Sequence, residues 1–505
     1  MTRKIKESEI PSYIVPDEVT HVTSTLQKAK FEAYLVGGCV RDMIMNKEPK
    51  DWDIATNAKP KEIQGLFPHT YYENNFGTVG VVNDDTEEGS LKNIEVTTYR
   101  LESEYADSRH PNKITFGKTI EDDLQRRDFT MNAIALSLDD SVKDISKGHF
   151  IDPYNGLQDI KDKTIKTVLE PEKRFKEDAL RILRAVRFMS SLNFVIEPNT
   201  RKAIEVLHMK LGEISKERIR DEFIKIIMSE RPENGLTELL ELNLMQYVVP
   251  ELMEGVGTKQ GGVHIYDVWD HSLKSLQGSA DKGYDLETRL AALFHDIAKP
   301  RTRKAGGKNK EWTFFGHDAV GARMTKVIME DLKFTKESTK KVSNLVRNHM
   351  FFSDTEQITL SAVRRMVKNV GKENIWDLIN LRITDRIGND RPKEEPYRLR
   401  KYKSMIEEVM RDPISVGMLE IDGTRVLEVT HETPGPKIGY ILHALLEEVL
   451  EDPKLNTAEY MEKRAIELSK LDDFKLIGLG EKGRAEKEKK EEEELKKIRD
   501  KNWVK

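Results

Sequence analysis

Asp51 and Asp53 alternate along the segment DWDIAT with Trp52 between them, so on a strand both carboxylates point to the same side of the sheet. Two same-side carboxylates a few ångströms apart repel one another unless a hard divalent cation neutralises them, and Mg2+ fits that arrangement. With two such ions, one lowers the pKa of an attacking hydroxyl while the other stabilises a leaving pyrophosphate. Glu95, in the strand-like run NIEVTTY, is a candidate third ligand. Upstream, YLVGGCVRDMIM reads as a strand running into Gly37 and Gly38 and then a helix. Such a turn leaves backbone N–H groups free for a triphosphate, and Arg41 lies one turn along to meet it.

These residues need a sheet to hold them. Between residues 31 and 136 the apolar runs YLVGG, DWDIAT, TVGVV, NIEVTTY and KITF are separated by turn formers, which predicts a compact α+β domain with a mixed sheet and helices. From about residue 157 the strand signals fade and Leu, Ile, Lys, Glu and Arg recur at helical spacing, as in EDALRILRAVRFMSSL and RIRDEFIKIIM. The loops GVGTKQGG and NDRPKEEP mark further boundaries, and the closing run EKGRAEKEKKEEEELKKIRDK is nearly all charge, suited to an exposed helix or a disordered tail.

GGCVRD, DWDIAT, RRDFTMNAIA, DPYNGLQD and EDALRILRAVRFM follow one another in an order that resembles the class II nucleotidyltransferases. That family comprises bacterial and eukaryotic CCA-adding enzymes and bacterial poly(A) polymerases, with a head related to that of DNA polymerase beta. The resemblance covers about residues 31 to 230. It implies an N-terminal extension at 1–30, a nucleotidyltransferase head at 31–160, a helical neck with a base-reading helix at 161–255, an HD domain at 256–395, a C-terminal tRNA-binding helical region at 396–475 and a charged tail at 476–505.

Arg127 and Asp128 in RRDFTMNA are expected to hold the incoming ribose, a carboxylate accepting from the 2′-hydroxyl. Asp178, Arg181 and Arg184 recur at i, i+3 and i+6 of one helical stretch, so the first two share a face. Cytosine and adenine both offer an amino donor beside a ring-nitrogen acceptor, whereas uracil and guanine present the reverse. An accepting Asp with a donating Arg matches C and A and leaves U and G with unpaired polar groups, at a cost of about 1–3 kcal/mol each. The resemblance gives that same role to Asp178 and Arg181. Arg184 and Arg187 are expected to face phosphates or brace the pair, Arg218 and Glu222 to support the helix, and the loop ESEYADSRHPNK to move near the site.

Further on, His271, the adjacent pair His295 and Asp296, His317, His349 and Asp385 follow in an order that resembles the HD superfamily of metal-dependent phosphohydrolases. Neutral imidazoles with carboxylates suit a transition metal such as Ni2+ or Mn2+ in a mononuclear or binuclear site, with phosphomonoester or cyclic phosphodiester hydrolysis as the implied chemistry. Near the end, ETPGPKIGYILHALLEEVL resembles the C-terminal part of CCA-adding enzymes, with Gly435, Pro436 and Gly439 shaping a helix start suited to RNA phosphate. The implied activity is addition of C, C and A to the 3′ end of tRNA from CTP and ATP. An A-adding, CC-adding or poly(A)-forming enzyme of the same family, or an HD phosphohydrolase, is the alternative.

Composition narrows the field. The 505 residues carry 83 Lys and Arg against 88 Asp and Glu, a formal net charge of −5, so RNA must be gripped by local Arg clusters and not by the bulk charge. Cys39 is the only cysteine, which excludes an intramolecular disulfide and a cysteine-based zinc cluster. No run of roughly eighteen apolar residues and no apolar N-terminal segment is present, giving the expectation of a cytoplasmic protein without a membrane or DNA partner.

Overall fold

The computed structural model describes residues 10–72, 77–100, 116–140, 142–261, 265–306, 311–351, 358–391 and 393–479. The loop at 102–113, KITF apart from Phe116 and the charged run from 480 onward lie outside them. Two compact units make up the chain, Met1–Val248 and Val249–Lys505.

The first unit is α+β. Its strands are β1 (Ala33–Val36), β2 (Trp52–Thr56), β3 (Thr70–Tyr72), β4 (Thr78–Val82), β5 (Asn93–Thr98), β6 (Ala135–Ser137) and β7 (His149–Ile151), in the sheet order β3-β4-β5-β2-β1-β6-β7. All neighbours are antiparallel except β2 and β5. Alternation explains the central pair: Trp52 and Ile54 on β2, and Ile94 and Val96 on β5, are buried in the core, which turns Asp53 and Glu95 to the opposite face. The three-residue strands β3, β6 and β7 are too short to leave a periodic signal in sequence.

Beyond the sheet, the helix Leu180–Leu192 buries Ile182, Leu183, Val186 and Phe188 and ends at Asn193, whose left-handed backbone (φ 57°) closes it. It packs against the helices Lys216–Ile227 and Pro232–Glu241. Gly235 permits that approach, because a Cβ there would stand 2.9 Å from Ser190 Oγ and 2.7 Å from an Ile226 methyl.

Helices dominate the second unit. Val268–Asp281 lies along Ile375–Gly388, and His317–Asp331 along Lys336–Asn348. The first pair sits close because Gly278 faces Ile387 and Gly388 faces Ser275, where a Cβ would meet side-chain atoms at 2.7 and 2.1 Å. Toward the C-terminus the helix Pro436–Glu451 opens with Pro436 in its first turn after Gly435, and it packs on Gly423–Thr430 and Ala458–Ser469 around Ile441, Leu445 and Val449. Among the described residues no helix is long and apolar enough to cross a membrane.

Candidate functional site

In the head, Asp53 and Glu95 are register partners of the parallel β2–β5 pair, so their side chains rise from the same face on adjacent strands. Asp51 is exposed at the residue before β2. Burial raises the Asp53 carboxyl above its usual range, Arg127 pulls it back only in part, and Asp51 adds to the rise. A carboxylate held under that stress is relieved by a cation, and carboxylate oxygens are the donors that Mg2+ prefers.

Gly37 joins β1 to the helix Gly38–Ile44 with φ 80°. A side chain there would be strained, and its Cβ would stand 2.7 Å from Arg127 Nη1 and 3.2 Å from Asp53 Oδ2. Gly37, more than Gly38, is therefore the position where a side chain cannot be accommodated beside Arg127 and Asp53. Arg41 gives Nη1–H to Asn132 Oδ1 at 2.8 Å and is held by Asp42 through Nε at 2.9 Å. Arg127 is clamped by the fully buried Asp123, at 3.1 Å from Nη2.

Asp128 accepts three N–H groups, from Phe129 N at 2.9 Å, Asn132 Nδ2 at 3.3 Å and Arg184 Nε at 2.7 Å, and Arg184 Nη2 stands 2.5 Å from its Oδ2 in an ion pair. Burial alone would raise its pKa, but the Arg184 guanidinium beside it and the bonds from Arg184 and Asn132 hold it well below the usual carboxylate range. Three donors and an ion pair leave this carboxylate little acceptor capacity for a ribose hydroxyl unless one of them gives way.

The segment expected to read the base departs from the single helix expected of it. Asp178 is not on the helix with Arg181: it lies in extended backbone (φ −148°) after the helix Pro171–Glu177, and its Oδ1 accepts from Leu180 N at 3.1 Å as the next helix begins. The physical reason is local, since a short carboxylate that satisfies a helix-start N–H competes with continuing the helix through its own residue. Asp178 Oδ2 accepts from Arg218 Nη2 at 2.7 Å. Arg181 gives Nη1–H to Glu177 at 2.8 Å and to the Arg174 carbonyl at 3.1 Å, and Nη2–H to the Arg126 carbonyl at 3.2 Å. Arg187 sits 3.1 Å from the buried Glu222 and over the Phe188 ring, 3.9 Å from its centroid. Arg41 lies over the same ring at 5.2 Å.

In the second unit all six expected metal ligands come together around Asp296. Its Oδ2 lies 3.3 Å from the Nε2 atoms of both His271 and His295, and its Oδ1 lies 3.4 and 3.7 Å from those of His317 and His349. Asp385 Oδ1 is 3.4 Å from His271 Nε2. Lys299 reaches Asp296 Oδ2 at 2.6 Å and Gln260 Oε1 at 2.6 Å. Burial opposes charge on His271, yet the bonds to Asp296 and Asp385 raise its pKa to about 9. Burial drives His317 and His349 the other way, toward neutral imidazole, the form that binds metal. Imidazoles with carboxylates make this donor set fit a transition ion better than Mg2+.

Residues 33–166 match the poly A polymerase head domain, 193–255 the probable RNA and SrmB-binding site of polymerase A, and 268–391 the HD domain. The Bacillus stearothermophilus CCA-adding enzyme, solved in complex with CTP, superposes with a TM-score of 0.64 at 26% identity, covering 89% of this chain and 96% of that one. The chain is thus similar in sequence to the poly A polymerase head and in fold to a CCA-adding enzyme. Among its relatives, the CCA-adding enzyme of Pediococcus pentosaceus is 44% identical over 237 residues, 46% of this chain and 56% of the relative. That of Enterococcus faecalis is 41% identical over 244 residues, 48% of this chain and 56% of the relative. The chain thus aligns with little more than half the length of these curated relatives. The Thermotoga maritima CCA-adding enzyme complexed with tRNA_CCA shares the fold at TM-score 0.51 and 18% identity.

For a CCA-adding enzyme relative, some functional positions stayed hidden in sequence. Asn132 ties Arg41 to Asp128 and, through its carbonyl, to Arg127 at 3.5 Å, but an Asn within RRDFTMNA carries no charge pattern to flag it. Glu177 gathers Arg174 and Arg181, at 2.6 and 2.8 Å. Its position directly before Asp178 in KEDALR was the available signal.

Proposed function

We propose that this chain adds C, C and A to the 3′ end of tRNA from CTP and ATP, releasing pyrophosphate. The observation that carries the reading is the in-register Asp53 and Glu95 pair beside Asp51 and the open Gly37 turn. Mg2+ held by Asp51, Asp53 and Glu95 would stabilise charge on the attacking and leaving oxygens. Gly37 and Gly38 leave room for the triphosphate, and Arg41 and Arg127, already fixed by Asn132 and Asp123, meet its charge without first having to be ordered. The 2′-hydroxyl takes the place of the weakest Asp128 bond, that from Asn132. Asp178 keeps lone pairs beyond the two that Arg218 and Leu180 use, and it accepts the amino group of C or A. Arg181 and the Arg184 and Arg187 pair complete the protein template and its brace. The names of the relatives, CCA-adding enzymes, and the tRNA_CCA in one neighbour's title support tRNA as the acceptor.

The deciding experiment offers the protein tRNA ending at the discriminator base, tRNA ending in CC, and a generic RNA, with labelled CTP and ATP given separately. CTP joins the first substrate and ATP the second. Failure to incorporate CTP overturns the reading in favour of an A-adding or poly(A)-forming enzyme. Within that assay Asp178→Ala is expected to weaken discrimination against UTP and GTP by roughly 10- to 100-fold, the equivalent of one unsatisfied buried polar group. If C and A are chosen as cleanly as before, the protein template lies elsewhere.

A second reading applies to the second unit: the convergence of four imidazoles on Asp296, with Asp385 beside two of them, supports hydrolysis of phosphomonoesters or 2′,3′-cyclic phosphates with Ni2+ or Mn2+. Absence of phosphate release from a 2′,3′-cyclic substrate with either ion present removes that activity.

A further inference from the structure

On the reading of the head as a nucleotidyltransferase, we infer that the RNA to be extended approaches over β4 and β3, and that its terminal base stacks on Tyr71. The reading is thereby given the side from which the acceptor comes and the residue that receives it.

The register of the sheet lays four residues in one row. Asp53 on β2 is opposite Glu95 on β5, Glu95 is opposite Gly80 on β4, and Gly80 is opposite Tyr71 on β3. Directly paired residues point to one face of a sheet, so all four positions lie on the face that carries the carboxylates. Their neighbours agree: Val79 and Val81 on β4, like Ile94 and Val96 on β5, are buried. The Gly37 turn, proposed to take the triphosphate, follows β1 and so lies on the other side of β2 from Glu95, Gly80 and Tyr71.

A triphosphate at that turn fixes the line of the reaction. In phosphoryl transfer the attacking and leaving oxygens lie roughly in line, on opposite sides of the transferred phosphorus. Pyrophosphate leaving on the side of Gly37 and Arg41 therefore places the attacking hydroxyl on the Glu95 side. The strand of RNA that carries this hydroxyl then lies over the next members of the row, Gly80 and Tyr71.

What stands there suits a nucleoside. Gly80 has an ordinary strand backbone, with no left-handed dihedral to demand glycine. Its missing side chain answers to Tyr71 instead: a Cβ there would stand 2.6 Å from Tyr71 Oη and closer still to two ring carbons. The ring thus reaches from the edge strand across Gly80, toward Glu95, while Tyr71 stays 38% exposed. An aromatic face stacks on any base, which suits an acceptor end whose last letter changes with each addition. Two residues along the same face of β4, Thr78 Oγ1 accepts from Arg100 Nη2 at 2.6 Å, and Arg100 Nε–H has no acceptor among the described residues. That guanidinium supplies a cation for the phosphate of the terminal nucleotide.

The test uses the full chain and a tRNA whose discriminator base is 2-aminopurine, which loses fluorescence when an aromatic ring stacks on it. Parent and Tyr71→Phe are expected to quench it on binding, and Tyr71→Leu, which covers Gly80 without a π face, to leave it bright. In steady-state extension Tyr71→Leu should raise the KM for tRNA by about tenfold, within the roughly 5- to 150-fold that one lost base stack brings, and Tyr71→Phe should stay within about twofold. The KM for CTP and the melting temperature should not move. Should the leucine variant lose its fold by circular dichroism, Gly80→Ala, which puts a methyl where the ring lies, serves with the same rise expected. Parental quenching and tRNA KM in Tyr71→Leu, or a phenylalanine variant as impaired as the leucine one, overturns the stacking site and leaves nucleotidyl transfer standing. So does an equal rise in both KM values with a lower melting temperature, which assigns Tyr71 to the sheet alone. A parent that incorporates neither CTP nor ATP into any RNA removes both.

Discussion

Replacing Asp53 with Asn is expected to lower incorporation of both CTP and ATP by at least about a thousandfold while leaving the first unit folded. A catalytic divalent ion contributes several kcal/mol to the transition state, and each ~1.4 kcal/mol is a factor of ten in rate. The amide keeps the shape of the carboxylate but removes the charge that, on the proposed reading, would hold the ion with Glu95 in register and Asp51 nearby. Stability should move little or rise slightly, because burial and Asp51 already hold the Asp53 carboxyl above its usual range, and losing a stressed charge relieves the fold. Single-turnover extension of tRNA at saturating nucleotide, set beside a thermal melt, measures both. A variant within tenfold of the parent would show that the metal is held elsewhere.

The largest effect on stability is expected at Asp128. Asp128→Asn leaves the Arg184 guanidinium without its nearest partner between the head and the helix Leu180–Leu192, and removing one member of such a buried pair costs about 3–5 kcal/mol. Arg184 keeps 31% of its side chain exposed, so water recovers part of that and the lower end of the range applies. The sign with pH follows from the direction of the shift. Asp128 is depressed in the folded protein, so its contribution is fully present above the unfolded carboxylate value of about 3.9 and is lost as pH falls through the still lower folded value. Parent and variant should differ by the full amount at pH 7 in urea unfolding of the first unit, and converge only in strong acid. Equal midpoints at pH 7 would mean that Glu222, 3.8 Å from Arg184 Nη1, suffices to hold the arginine.

What the sequence reveals of this site follows from how local each feature is. Alternation along DWDIAT is a property of six residues and needs no partner, so the facing of Asp53 is legible from its neighbours alone. Its pairing with Glu95 is not, because a parallel neighbour forty-two positions away is chosen by the whole sheet and by the β3–β4 hairpin between them. The order of histidines and aspartates in the second unit can likewise be read off, but their convergence on the two sides of Asp296 depends on helix approaches set by Gly278 and Gly388. The helical spacing of Asp178 and Arg181 misleads for the opposite reason: period counting has no term for a side chain that ends one helix by starting the next. The choice of Gly37 over Gly38 waits on a backbone dihedral that two adjacent glycines hide equally well.

Arg174 and Arg181 do more than line the base-reading segment. Arg174 gives N–H to the carbonyls of Val168 and Gln125, and Arg181 to that of Arg126, so the neck holds by its backbone the stretch of head that carries Arg127 and Asp128. On the proposed reading, discrimination and turnover are thereby wired together. An engineer who exchanged Arg181 to recruit a different base would also loosen the segment proposed to meet the triphosphate, so a new letter would be paid for in speed unless that backbone grip were rebuilt separately.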